Sequence, residues 1–298
     1  MSDASIFDSE TILPDDRLGE RAGRLLGFEP RYQRVKNQLR LLLLMDQIEA
    51  WNRRNHGGKL VLGSLVADQY PLVIFHGDVG TGKTAMAECI ANRLVAESRT
   101  EDSILFKMSN RVRGSGKVGE MGTLMIEAFQ KVTQSAGKNR RAILIIDEGD
   151  SLAAARSQAH SHHEDKVAVN TLIQSIDELR KLGGRVVTIL CTNRLSTLDP
   201  ALVRRAAIIE EFRRPNEAER LDLFSMDLAA LQLQPEELKS LAAITGGNDG
   251  QPAWTYSDIR TRLYPSALAL AFPDRPMTFD DLFTTASSMR PSPVLEDA

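Results

Sequence analysis

Cysteine is scarce here, with two in 298 residues, and aromatic side chains make up only 5%. Cys89 and Cys191 lie far apart within apolar stretches, so they read as buried thiols in a reducing compartment, not as a disulfide or a zinc site. Long hydrophobic runs are missing too. Stretches such as Leu41 to Met45 fall far short of the ~20 apolar residues that a membrane-spanning helix needs. Neither sign of charge dominates: 37 basic against 40 acidic residues leave a formal net charge of −3. No global positive field therefore draws the chain to DNA, RNA or a membrane surface, although a local basic patch stays open. Met1 to Pro14 is acidic, without the basic start and apolar core of a secretory leader, so the expected location is cytoplasmic. What remains is an ordinary folded composition, 42% hydrophobic and 26% charged, long enough for more than one average domain.

The pattern along the chain divides into three parts. Residues 1–26 are polar, contain Pro14 and show no sustained period, which reads as a flexible or docking arm. Residues 27–214 carry an α/β alternation. Val35, Leu39, Leu42, Leu43, Ile48 and Trp51 recur at helical spacing, and Arg53 to Lys59 reads as a turn. Leu72 to Phe75, Ile104 to Met108, Ala142 to Ile146 and Val186 to Cys191 are short apolar runs of buried-strand type. Ile208 to Phe212 is a further candidate. Helical stretches at Lys83 to Val95, Gly119 to Val132 and Lys166 to Leu182 separate them, which predicts a mainly parallel sheet covered on both faces. Residues 215–298 read as all helical. Asn216 with Glu219 forms a capping-box start, further helices open at Pro235, Ser257 and Thr278, and Pro265 interrupts the third. The chain's last residues read as disordered.

One motif carries the chemistry. Gly77-Asp-Val-Gly-Thr-Gly-Lys-Thr84 fits the phosphate-loop pattern and stands between a strand and a helix, the context that gives the pattern meaning. Its glycines let backbone N–H groups of Gly77, Asp78, Val79, Gly80, Thr81 and Gly82 approach phosphates, and the helix start adds partial positive charge. Lys83 can reach the β- and γ-phosphates of ATP, and the Thr84 hydroxyl can ligate Mg²⁺. A second apolar strand, Ile143 to Ile146, runs into Asp147 and Glu148. Strand alternation would aim these carboxylates to different sides, which suits Asp147 for the metal and Glu148 for the attacking water. Asn193 after the strand ending at Cys191 could complete that water's hydrogen bonds. Arg204 and Arg205 could face a γ-phosphate, or form a solvated pair.

Taken in order, Gly77 to Thr84, Ile143 to Glu148, Asn170 to Asp177, Asn193 and Leu198 to Arg205 resemble the AAA+ ATPases over about residues 27–285. That resemblance implies a five-stranded parallel sheet with a small helical lid, a hexameric ring, and active sites shared between subunits. It implies that Asn193 is the first sensor and that Arg204 or Arg205 is the arginine finger acting on the neighbour's ATP. Arg260 is implied as the lid's second sensor, with Arg262 a close competitor. Within that family the stretches 116–132, 147–156 and 166–179, with Val203 to Phe212, are most similar to the pachytene-checkpoint/thyroid-receptor-interacting branch. This branch remodels HORMA-domain proteins. The short N-terminal region resembles bacterial members associated with cyclic-oligonucleotide anti-phage signalling. The resemblance places a substrate-gripping pore loop at Lys117, Val118 and Gly119. Here a lysine stands where ring unfoldases carry an aromatic, so grip would fall to Val118 and Met121, or substrate engagement would be limited.

Other features carry less. His160, His162 and His163 lack the spacing and supporting shell of a zinc site and read as a solvated loop. Trp51 and Trp254 read as packing residues. Two alternatives of other classes are a DNA-directed AAA+ module, which predicts DNA-stimulated ATPase and a basic face, and a nucleotide-gated scaffold whose hydrolysis is incidental.

Overall fold

In the computed structural model, residues 6–98, 101–109, 112, 120–137, 140–152, 163–247 and 250–295 are described. The chain forms two compact units, one of Met1–His76 with Thr84–Glu211, the other of Gly77–Lys83 with Phe212–Ala298.

The larger unit is built on a six-stranded sheet in the order β1-β3-β4-β5-β2-β6. Its strands are β1 (Phe7–Leu13), β2 (Leu72–Gly77), β3 (Glu101–Met108), β4 (Arg140–Ile146), β5 (Val186–Thr192) and β6 (Ile208–Phe212). β2, β5, β4 and β3 pair in parallel, and β1 adds antiparallel to β3. The middle strands are near-continuous apolar runs because both faces are covered: Ala142 to Ile146 and all of β5 are buried. The helices of this unit are α1 (Asp16–Gly23), α2 (Phe28–Leu43), α3 (Ile48–His56), α4 (Leu62–Ala67), α5 (Lys83–Ser98), α6 (Glu120–Ser135), α7 (Gly149–Leu152), α8 (His163–Arg180) and α9 (Pro200–Val203). α6 and α8 pack together, and their Met125, Phe129, Leu172 and Ile176 form one core with Phe106, Leu144 and Ile146.

Two expectations are corrected. Among the described residues the sheet has six strands, not five, and the polar N-terminal segment read as a flexible or docking arm contributes one of them. Phe7 and Leu13 anchor β1 at its two ends, and Phe7 packs 4.9 Å from the Phe106 ring. The residues between them are exposed, or half-buried at Thr11, as an edge strand permits. Beyond the strand, Asn92 holds both the N–H and the carbonyl of Asp15, whose carboxylate caps α1. The apolar stretch from Tyr32 to Trp51 is likewise two helices, turning at Leu44.

That turn is fixed by Arg141, which is only 2% exposed. It pairs through two bonds of 2.9 and 3.0 Å with Asp46 and donates to the Leu43 carbonyl. Arg141 is buried but Asp46 is 35% exposed, so solvent screens the pair on one side. Losing the guanidinium then costs about 2 kcal/mol, the loss of a charge-assisted bond together with an unpaired Leu43 carbonyl. Arg141→Ala should therefore lower unfolding stability by about 2 kcal/mol in a denaturant titration. Arg141→Lys should recover only part, since one ammonium cannot span both carboxylate oxygens and the carbonyl. Both cysteines are buried thiols, and burial pushes that of Cys89 up to about 11. Trp51 is 44% exposed, on the wall of a hollow of about 660 Å³ with Leu41, Leu44, Ile48 and Val66.

Among the described residues of the smaller unit four α-helices follow: α10 (Glu217–Asp227), α11 (Pro235–Ile244), α12 (Tyr264–Ala271) and α13 (Phe279–Ser288). Asn216 and Glu219 form the reciprocal capping box that starts α10. Pro265 lies in the first turn of α12, where the helix passes from π to α pitch. A wide π turn at Asp258–Leu263 leads into it. Trp254 is buried, and Arg220 is buried against the carbonyls of Pro215 and Ala242. Among the described residues no helix is long and apolar enough to cross a membrane.

Candidate functional site

The phosphate-loop motif is braced from within. The Thr81 hydroxyl donates to the Asp78 carbonyl at 2.7 Å, and the Asp78 carboxylate takes the Val79 N–H at 2.8 Å. Lys83 Nζ donates to the carbonyls of Gly77 and Asp78 at 2.8 and 3.0 Å, which holds its charge at the loop. Two glycines are forced. A side chain at Gly77 would strike the Phe212 carbonyl, and one at Gly80 would meet Thr255 Oγ1 at 2.7 Å and Ser257 Cβ at 2.8 Å. Both also have positive φ, 136° and 77°. The Ser257 N–H donates to the Gly80 carbonyl, so this loop lies directly on the segment 255–257.

In the larger unit, α5 presents Thr84 to Asp147, with the hydroxyl donating to Oδ2 at 2.7 Å. The other carboxylate oxygen takes the Glu148 N–H at 2.9 Å. A hydroxyl and a carboxylate side by side fit Mg²⁺, which takes few protein oxygens and completes its octahedron with phosphate and water. Strand alternation is not what separates Asp147 from Glu148. β4 ends at Ile146, and Glu148 has φ 51°, left-handed for a residue with a Cβ. That turn leaves Glu148 exposed and Asp147 half-buried. Gly149 permits it, since a side chain there would meet Leu190 at 2.6 Å.

Asp150 is a residue of this site that the sequence alone does not mark. Its Oδ1 accepts from the Thr192 hydroxyl and the Asn193 N–H, each at 3.3 Å, and so ties the end of β5 to the turn carrying Glu148. Its partners lie 42 and 43 residues away, so no local pattern marks it.

The two arginine pairs resolve differently. Arg205, 23% exposed, forks onto Asp177 at 2.6 and 3.0 Å, donates to the Ala201 carbonyl and lies over the Tyr70 ring. Its hydrogen bond to Asp177 strengthens its positive form. Arg204 at the end of α9 is exposed and has no ion pair among the described residues. In the smaller unit Arg260 forks onto Asp227 at 2.7 Å for both bonds, while Arg262 pairs with Asp258 at 2.9 Å. Lys117, Val118 and Gly119, together with His160 and His162, lie outside the described residues.

Residues 73–214 match the family described as the ATPase family associated with various cellular activities (AAA). Over 297 residues the chain is 66% identical to CD-NTase-associated protein 6 of Escherichia coli strain KTE188, covering 100% of both. A chain of the solved E. coli MS115-1 HORMA:CdnC:Trip13 complex superimposes with a TM-score of 0.88 at 34% identity, over 97% of each chain. The solved Rhizobiales Trip13 does so with a TM-score of 0.71 at 29% identity, over 96% of this chain and 99% of that one.

Proposed function

The chain belongs to the AAA ATPase family, among the relatives of CD-NTase-associated protein 6, and from that premise we propose that it opens a HORMA-domain signalling protein. The work is driven by ATP turnover in a hexameric ring of this chain, and it restrains a bacterial anti-phage nucleotide-signalling system. The observation that carries this reading is the likeness along 97% of the chain to a protein solved together with HORMA and CdnC partners.

The residues take these roles. Backbone N–H groups of Gly77 to Thr84 cradle the phosphates at the start of α5, and Lys83 exchanges loop carbonyls for phosphate oxygens. Thr84 and Asp147 would hold Mg²⁺, which when bound neutralises charge on the β- and γ-phosphates. Glu148 accepts a proton from the attacking water, and Asn193, set by Asp150, orients that water. Arg204 reaches the ATP of the neighbouring subunit. Arg260, with Arg262 as the competitor, reports the nucleotide to the helical unit by exchanging its carboxylate for a phosphate. Lys117, Val118 and Gly119 grip the substrate in the ring's pore.

The test is direct. With ATP and Mg²⁺, the purified chain should release a HORMA domain from its closure peptide, read by fluorescence anisotropy. Lys83→Ala should abolish release and weaken ATP binding at least about tenfold, since it removes a charge-assisted contact worth ~1.5–3 kcal/mol. No release by the wild-type chain would sink the proposal, and unchanged ATP affinity in Lys83→Ala would move the phosphate site elsewhere.

A further inference from the structure

Arg214 is 11% exposed, and its guanidinium makes four bonds. Nε donates to Asp78 Oδ2 at 2.5 Å, and Nη1 to the Ala253 carbonyl at 2.6 Å. Nη2 donates to the carbonyls of Ser292 and Pro293, both at 2.9 Å. One side chain thus joins the second residue of the phosphate loop to the C-terminal segment. Asp78 passes the restraint on, because its other oxygen fixes the Val79 N–H.

The C-terminal segment has a second anchor. The Ser292 hydroxyl donates to Asp258 Oδ1 at 2.6 Å, and Arg262 donates to the Arg290 carbonyl at 3.1 Å. Asp258 is only 1% exposed, and its Oδ2 also takes the N–H and hydroxyl of Thr255. Burial pushes that carboxyl up, but the donors from Ser292 and Thr255 outweigh burial and hold it below the usual carboxylate range. Thr255 is the residue whose hydroxyl abuts Gly80. Residues 290–295 form no helix or strand, and Val294 and Leu295 stay exposed, so polar bonds hold this segment in place.

We infer that Arg214 is a positioning residue for the phosphate loop and that the C-terminal segment 290–295 is the strap that keeps it on Asp78, so that strap attachment sets nucleotide affinity. This rests on the loop 77–84 being the phosphate site. Coupling between two equilibria is reciprocal, so bound nucleotide tightens the strap by the factor by which the strap tightens nucleotide binding.

The experiment measures ADP affinity, well below the melting midpoint, for the wild-type chain and for Arg214→Ala, Asp78→Ala, both together, and a chain ending at Arg290. Lys83→Ala is the control. Arg214→Ala and the truncation should each weaken ADP binding about tenfold, the loss expected from a charge-assisted bond. The Asp78/Arg214 double variant should be no weaker than the worse single variant, as residues acting in one chain of contacts are non-additive. In the wild-type chain, saturating ADP should slow amide exchange at Ser292, a readout that needs no variant to fold. If Lys83→Ala weakens binding while Arg214→Ala and the truncation match wild type, or if Ser292 exchange ignores ADP, the strap is overturned and the phosphate site stands. If Lys83→Ala binds normally, the reading of the loop itself fails.

Discussion

Glu148→Gln is expected to lower ATP turnover by at least about a hundredfold and leave ATP affinity unchanged. A positioned general base contributes ~10²–10⁴-fold, and glutamine keeps the size and shape while losing the basicity. Local structure makes the substitution clean. The left-handed turn at Glu148 is held through its backbone N–H on Asp147, which a glutamine leaves intact. Thr84 and Asp147 keep their 2.7 Å contact, so the pair proposed to hold Mg²⁺ is not disturbed. Affinity and turnover measured on one preparation separate base from ligand: loss of both would make Glu148 a binding residue. Mixed with a HORMA domain and ATP, the variant should hold its substrate in a complex that survives gel filtration. A ring that hydrolyses incidentally, as a scaffold would, should instead open HORMA as well as the wild type does.

How legible this was depends on whether a feature is local. The central strands announce themselves as near-continuous apolar runs because they are buried on both faces, and the phosphate loop is eight consecutive residues between a strand and a helix. β1 is hidden because an edge strand needs only Phe7 and Leu13 inside, and the Asp, Ser, Glu and Thr between them read as a loop. The break at Leu44 is set by Arg141, 95 residues from its partner Asp46, while the local pattern favours one helix. Asp150 and Arg214 share that property, with Arg214 136 residues from Asp78. The sequence also misses the reason Asp147 and Glu148 diverge. Period-2 alternation holds only inside a strand, and here the strand has already ended.

Arg204 and Arg205 are adjacent and identical in type, so only their surroundings separate them. A finger must leave its own subunit and meet a phosphate, and a guanidinium already forked onto a carboxylate must first break those bonds. Arg205 is committed to Asp177, Ala201 and the Tyr70 ring, whereas Arg204 is exposed at the end of α9. We therefore expect Arg204→Ala to cut turnover of the assembled ring about 10³-fold, the low end of what an arginine finger contributes, with ATP affinity and melting unchanged. Arg205→Ala should instead lower the melting temperature. Its effect should be modest, about 1 kcal/mol, because both partners are partly open to solvent. The reverse pattern, a silent but well-folded Arg205→Ala beside an active Arg204→Ala, would swap the roles. Mixing then tests whether the finger acts in trans. Arg204→Ala subunits keep an intact loop, and Lys83→Ala subunits keep an intact finger. Where the two meet in the right order, one complete site forms, so a mixture should regain turnover that neither variant has alone. Were the finger to act within its own subunit, every site in the mixture would carry a defect and no activity would return.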